Sequence, residues 1–126
     1  MSFLAANVYV FILIIVALFQ LALAAGMPWG KLAMGGKFPR RYPPVMRFVC
    51  LVLIFIFTIL GAIVFTRAGI IFPEWLSASK KIIWGVVAFN VLGVLMNLAT
   101  PSKWERILWA PVAIVLMVCS ILVAVG

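Results

Sequence analysis

A chain of 126 residues that is 68% hydrophobic and 10% charged is too apolar for a soluble domain, where about 25% of residues are charged. Its net charge of +8 rests on ten Lys and Arg against two acids, Glu74 and Glu105. With no His or Asp, the sequence excludes His-ligated metals and haem, carboxylate dyads and Ser-His-Asp catalysis, so no enzyme and no cofactor are expected.

Residues 3–25 form an uncharged run broken only by Asn7, Tyr9 and Gln20. At ~1.5 Å per residue this run reaches ~34 Å, enough to cross a ~30 Å hydrocarbon core with some tilt. Ala22-Leu23-Ala24 has the form of a signal-peptide cleavage site. The run is too long for that, and no basic segment precedes it, so it reads as a span.

The loop 26–47 follows, with four Gly, four Pro and no acid. Gly26 and Pro28 are expected to end the first helix. Lys31, Lys37, Arg40 and Arg41 surround Gly35-Gly36, a pattern that could make a backbone nest for a phosphate or an anionic lipid headgroup. The plainer reading, which is preferred, is a topogenic surface that meets anionic lipid nonspecifically, at ~1 kcal/mol per cation.

A second span is expected over 48–66, then a loop over 67–81 in which Phe72-Pro73-Glu74-Trp75 makes a short interfacial turn. The third span, 82–99, has Ser79 as its expected N-cap and is stopped by Thr100-Pro101. Ser102 and Glu105 form a Ser-x-x-Glu capping box opening the fourth span, which continues over 107–125 and in which Pro111 is a candidate kink. The first and third loops carry Lys31, Lys37, Arg40, Arg41, Arg47, Lys103 and Arg106, and the second only Arg67, Lys80 and Lys81. Positive charge concentrates in cytoplasmic loops, so loops one and three are expected inside and both termini outside. Cations arranged this way do not suggest a nucleic-acid partner.

Within the spans, Asn90 is near mid-depth, Asn97 lies two turns further on the same face, and Gly93 sits between them. Gln20 matches the depth of Asn97, and Thr58 that of Asn90. These four could form a polar seam for a solute or a lipid headgroup. The preferred reading is interhelical hydrogen bonding at about 0.6 kcal/mol per contact, with Gly93 admitting another helix. Glu105 is expected to pair with Arg40, Arg41 or Arg47. Cys50 and Cys119 differ in depth by ~14 Å; a disulfide needs Cα atoms within about 7 Å, so both are expected as free thiols. Trp29, Trp75, Trp84, Trp104 and Trp109 fall near the interfaces and read as an aromatic belt.

The run from Gly26-Met27-Pro28-Trp29-Gly30 to Gly35-Gly36, and Asn97, Ser102, Glu105-Arg106, Trp109 and Pro111, resemble a group of small, uncharacterised bacterial four-span membrane proteins. The resemblance implies a layout and no activity. Small multidrug transporters fit poorly, because span one lacks their Glu. Small fluoride channels fit poorly as well, because their Gly-Gly and Thr-Phe-Ser-Thr-Phe patterns are missing from the spans. The expectation is a single all-α domain over 1–126, a four-helix transmembrane bundle of the cell inner membrane. Its expected role is that of a non-enzymatic accessory, interaction or lipid-binding protein, with a homo-oligomeric channel or transporter for a small solute as the alternative. The expected partners are anionic lipid headgroups on the cytoplasmic side and another copy or another membrane protein.

Overall fold

The computed structural model describes residues 2–29, 42–101 and 103–126. Among these residues four α-helices follow one another, α1 (Ser2–Ala24), α2 (Pro44–Arg67), α3 (Leu76–Ala99) and α4 (Lys103–Val125), with a 3-10 turn, Pro73–Trp75, ahead of α3. All four helices are long and apolar enough to cross a membrane. Hydrocarbon offers no partner to a backbone N–H or C=O, and a helix satisfies both internally. Each helix packs against its neighbours in sequence, and α4 returns to α1 to close a four-membered ring. The all-α bundle is as expected.

Two helices begin earlier than expected, and the fourth begins where its capping box requires. Helix α2 starts at Pro44 rather than residue 48, because Pro is tolerated in a first turn whose N–H groups have no partner anyway. Arg47 fits that turn by donating from Nε to the Tyr42 carbonyl at 2.9 Å. Helix α3 starts at Leu76 rather than 82. Ser79 is therefore inside it instead of capping it, and its Oγ donates back to the Leu76 carbonyl at 2.7 Å. Helix α4 starts at Lys103, as a capping box opening at Ser102 requires, and runs through Pro111; Ser102 itself lies outside the described residues. At the turn between α3 and α4, Arg106 Nη1 donates to the Thr100 carbonyl at 3.1 Å.

Helices α1 and α2 end alike. Met27 N–H reaches back to the Ala22 carbonyl and Gly26 N–H to that of Leu23; after α2, Ile70 bonds to Phe65 and Gly69 to Thr66. Both are Schellman closures, which need a left-handed residue, and Gly26 and Gly69 supply it with φ of 99° and 80°. Gly26 has a second reason to be glycine: a Cβ there would come within 3.2 Å of the Arg47 guanidinium. Phe72 adopts the same left-handed region at φ 45°, a conformation that costs a residue with a Cβ, and leads into the Pro73–Trp75 turn.

Packing is uneven along the bundle. The main core joins Ala5, Ala6, Tyr9 and Leu13 of α1 to Leu60 and Val64 of α2, Ile83, Val86 and Val87 of α3, and Leu116, Cys119, Val123 and Ala124 of α4. This is the end where α1 begins, α4 finishes and the 68–75 turn lies. At the opposite end the buried apolar cluster contains, among the described residues, Leu23, Tyr42 and Cys50. Both Cys50 and Cys119 are free and buried.

Candidate functional site

A cavity of about 790 Å³ occupies the thinly packed half, and all four helices line it. Its floor is made by Leu13, Leu60 and Leu116, which also belong to the main core. Its other limit is Tyr42, Thr100, Pro101 and Glu105, at the loop end. Ten residues of α3 and its C-cap separate Asn90 from Thr100, which is ~15 Å at a helical rise and about half of a ~30 Å hydrocarbon core. The cavity is therefore about one leaflet deep.

The buried stripes on the helices explain why it is there. No fully buried residue falls between Leu13 and Leu23 on α1, or between Cys50 and Leu60 on α2. On α3 the stripe runs Ser79, Ile83, Val86, Val87, Asn90 and Val94, then stops. Only α4 keeps an inward stripe along most of its length, from Ala110 to Ala124. The cavity also opens sideways: Phe89, Met96 and Ala99 of α3 line it yet are exposed on the outside of the bundle, Met96 by 63%.

Three of the four intramembrane polar residues singled out in the sequence meet at this cavity. Asn90 is 6% exposed, and its Nδ2 donates to the Tyr9 hydroxyl and to the Val86 carbonyl, both at 2.8 Å. Asn97 is half-buried and donates from Nδ2 to the Gly93 carbonyl at 2.7 Å. Gln20, also half-buried, lines the wall formed by α1. Thr58 does not belong with them. It is exposed, and its hydroxyl donates to the Ile54 carbonyl of its own helix at 2.9 Å, a local bond that lets a hydroxyl face lipid. Gly93 also departs from expectation: no heavy atom lies within 4 Å of where its Cβ would be, so no helix packs closely there.

The sequence reading missed two tyrosines. Tyr9, fully buried, is the partner that holds Asn90 across the α1–α3 diagonal. Its place in the first span, at about the depth of Asn90 in the third, was the available signal. Tyr42 lies at the loop end of the cavity. Burial pushes its phenol up to about 12, and the Cys50 thiol and the Glu105 carboxylate act in the same direction. Trp109 is another departure, because it packs on Phe19 with ring centroids 4.9 Å apart and lines the cavity. Trp75, Trp84 and Trp104 are exposed, as an interfacial belt requires.

Lys31, Gly35, Gly36, Lys37, Arg40 and Arg41, the candidate anion site, lie outside the described residues, as do two of the three arginines expected to pair with Glu105. The third, Arg47, engages Tyr42 and packs over Gly26. Among the described residues no three His, Cys, Asp or Glu side chains group as metal ligands would.

Fold and site together define a multi-pass α-helical protein with a cavity between its spans. No family model matches the chain, and no curated protein or solved structure does either.

Proposed function

We propose that this chain is a non-enzymatic protein of the cell inner membrane that holds an amphipathic lipid between its helices. Loops one and three are cytoplasmic in this reading, and anionic headgroups gather on their cations. It keeps the layout of the small bacterial four-span proteins that the chain resembles. The observation that carries it is the cavity: one leaflet deep, walled mainly by apolar side chains, with a few polar groups. Its volume is within the ~300–1,000 Å³ of ligand pockets. The side opening at Phe89 and Met96 gives a lipid tail a way out to the bilayer. An aqueous path through one copy would have to cross the core beneath Asn90 and Tyr9, so the solute-channel alternative gains no support from a single bundle.

Substitution at Gly93 provides the test. A Cβ on Gly93 meets nothing within 4 Å, so the Gly93→Leu side chain enters the cavity and narrows it between Asn90 and Asn97. Replacing a mid-helix glycine should also preserve or raise helix stability. Wild-type protein in bilayer nanodiscs, irradiated with a diazirine-bearing monoacylglycerol, should be labelled on cavity-lining peptides of α1 and α3. Gly93→Leu should fold equally well and carry a clearly weaker label. Labelling confined to the outer faces of the helices, in both forms, would refute the reading.

A further inference from the structure

The cavity has a neighbour. A second apolar hollow, a groove of about 580 Å³, runs between Ile15, Leu18 and Ala22 of α1 and Leu108 of α4. Phe19 and Trp109 line this groove and the cavity alike, and both are half-buried. Their rings meet at a 60° tilt with centroids 4.9 Å apart, an arrangement that aromatic pairs prefer to a flat sandwich. On the groove side Trp29 stacks on Phe19, with centroids 6.3 Å apart and ring planes 9° from parallel. Phe19 lies six residues past Leu13, on the cavity floor, which is ~9 Å at a helical rise. The pair therefore stands at the depth of acyl chains.

Building on the lipid-holding reading, we infer that Phe19 and Trp109 form a gate between the cavity and the bilayer. When the rings turn, the cavity joins the groove, and the guest's acyl chain passes sideways between α1 and α4. Each ring borders open volume on two sides, so a turned ring enters space and not a neighbour. Small side chains flank the pair: Ala22 lies one turn along α1 on the groove, and Ala113 one turn along α4 on the cavity. The seam they close is also the lighter one for α1, which packs less extensively on α4 than on α2. Helices in lipid associate without a hydrophobic drive, so side-chain fit is what such a seam depends on. The main core joins Ala5 and Tyr9 of α1 to Cys119 and Val123 of α4, which confines the movement to the cavity half. The opening at Phe89 and Met96 is on α3, so the gate gives the cavity a second way to the bilayer, closed at rest.

A monoacylglycerol with its diazirine in the acyl chain is added to the full chain already folded in nanodiscs, and labelling of cavity-lining peptides is followed over time. Met96→Trp with Ala99→Phe obstructs the standing opening, since both residues line the cavity and are exposed on the outside. In that background the label should still reach the cavity. Phe19→Ala should then speed its arrival by about two- to tenfold, the factor that corresponds to losing one aromatic pair. Ala22→Trp, which fills the groove beside Phe19, should instead suppress it. Leu18→Trp, an exposed position on the same groove, takes its place should Ala22→Trp fail to fold. Label lost on obstructing the standing opening alone would overturn the gate and leave the lipid-holding reading intact. Label undiminished by filling the groove, or unchanged in rate by Phe19→Ala, would do the same. Failure of the probe to reach the cavity of the wild-type protein would instead remove the lipid-holding reading, and the gate with it.

Discussion

The two halves of the bundle are built from the same kind of residue and pack in opposite ways. Toward the end that holds the 68–75 turn, small and branched side chains interlock: Ala5, Ala6, Val64, Ile83, Val86, Val87, Val123 and Ala124 are all buried. Toward the other end, α1 and α2 each run through a stretch without one fully buried residue, and the space between them is cavity. Hydrophobicity does not separate the halves, because lipid tails are as apolar as leucine and give helices no hydrophobic reason to associate. What separates them is whether side chains present shapes that fill one another's gaps. Burial in a membrane bundle is a matter of fit, and a half that lacks it leaves room for a guest.

The largest expected effect tests that contrast directly. Ile83→Ala in the packed half should cost ~2 kcal/mol or more through lost contacts and a cavity. Leu53→Ala, on the wall of an existing cavity, should cost well under ~1 kcal/mol, since fewer partners are lost. Reversible unfolding in mixed micelles measures both, and equal losses would dissolve the comparison.

Next in size is Gly26→Ala, at a close approach in the open half. It combines a left-handed backbone, worth ~1–2 kcal/mol for a residue with a Cβ, with a 3.2 Å contact against the Arg47 guanidinium. The same unfolding assay should register a clear loss for this variant and almost none for Gly85→Ala, where a Cβ meets nothing.

A smaller effect is expected for Tyr9→Phe at the boundary between the halves. It removes one bond to Asn90 and leaves the bond to Val86, so about 0.6 kcal/mol should be lost. A loss of several kcal/mol would mean that this one contact, and not side-chain fit, divides the molecule.

The last effect is confined to alkaline pH. The Tyr42 phenol is raised from its ordinary value of 10.0 to about 12, so the folded state holds its proton more tightly than the unfolded state does. The resulting stability is complete below pH 10 and is lost as pH rises through 12. Thermal melts should show this decline in wild type and a shallower one in Tyr42→Phe, while phenol absorbance at neutral pH stays that of an un-ionised tyrosine.

Much of the fold could be read directly. Four apolar runs of the right length leave few alternatives, and Gly26 marked the end of the first helix. The starts of α2 and α3 were misread because polarity was taken as loop. Ser77, Ser79, Lys80 and Lys81 are polar and nevertheless helical in α3, since a helix can continue into the headgroup layer where its side chains are solvated. Asn90, Asn97 and Gln20 were visible as rare amides in hydrocarbon. The cavity between them was not, because spans that are apolar all round give no periodic sign of which face turns inward. Thr58 illustrates the same limit: a hydroxyl at the right depth was grouped with the amides although its own helix satisfies it.

The return of α4 to α1 has a consequence for how the protein is made. Leu116, Cys119 and Val123 complete a core whose α1 members, from Ala5 to Leu13, emerge about a hundred residues earlier. At ~5–20 residues per second, α1 waits ~5–20 s in the membrane before its last neighbour arrives. For that interval Tyr9, Ala5 and Ala6 face lipid or an insertion factor instead of α4. Assembly of the ring is thus a late event in biogenesis, and a slowly translated codon between α3 and α4 would lengthen the time during which the first three spans are open to the wrong partner.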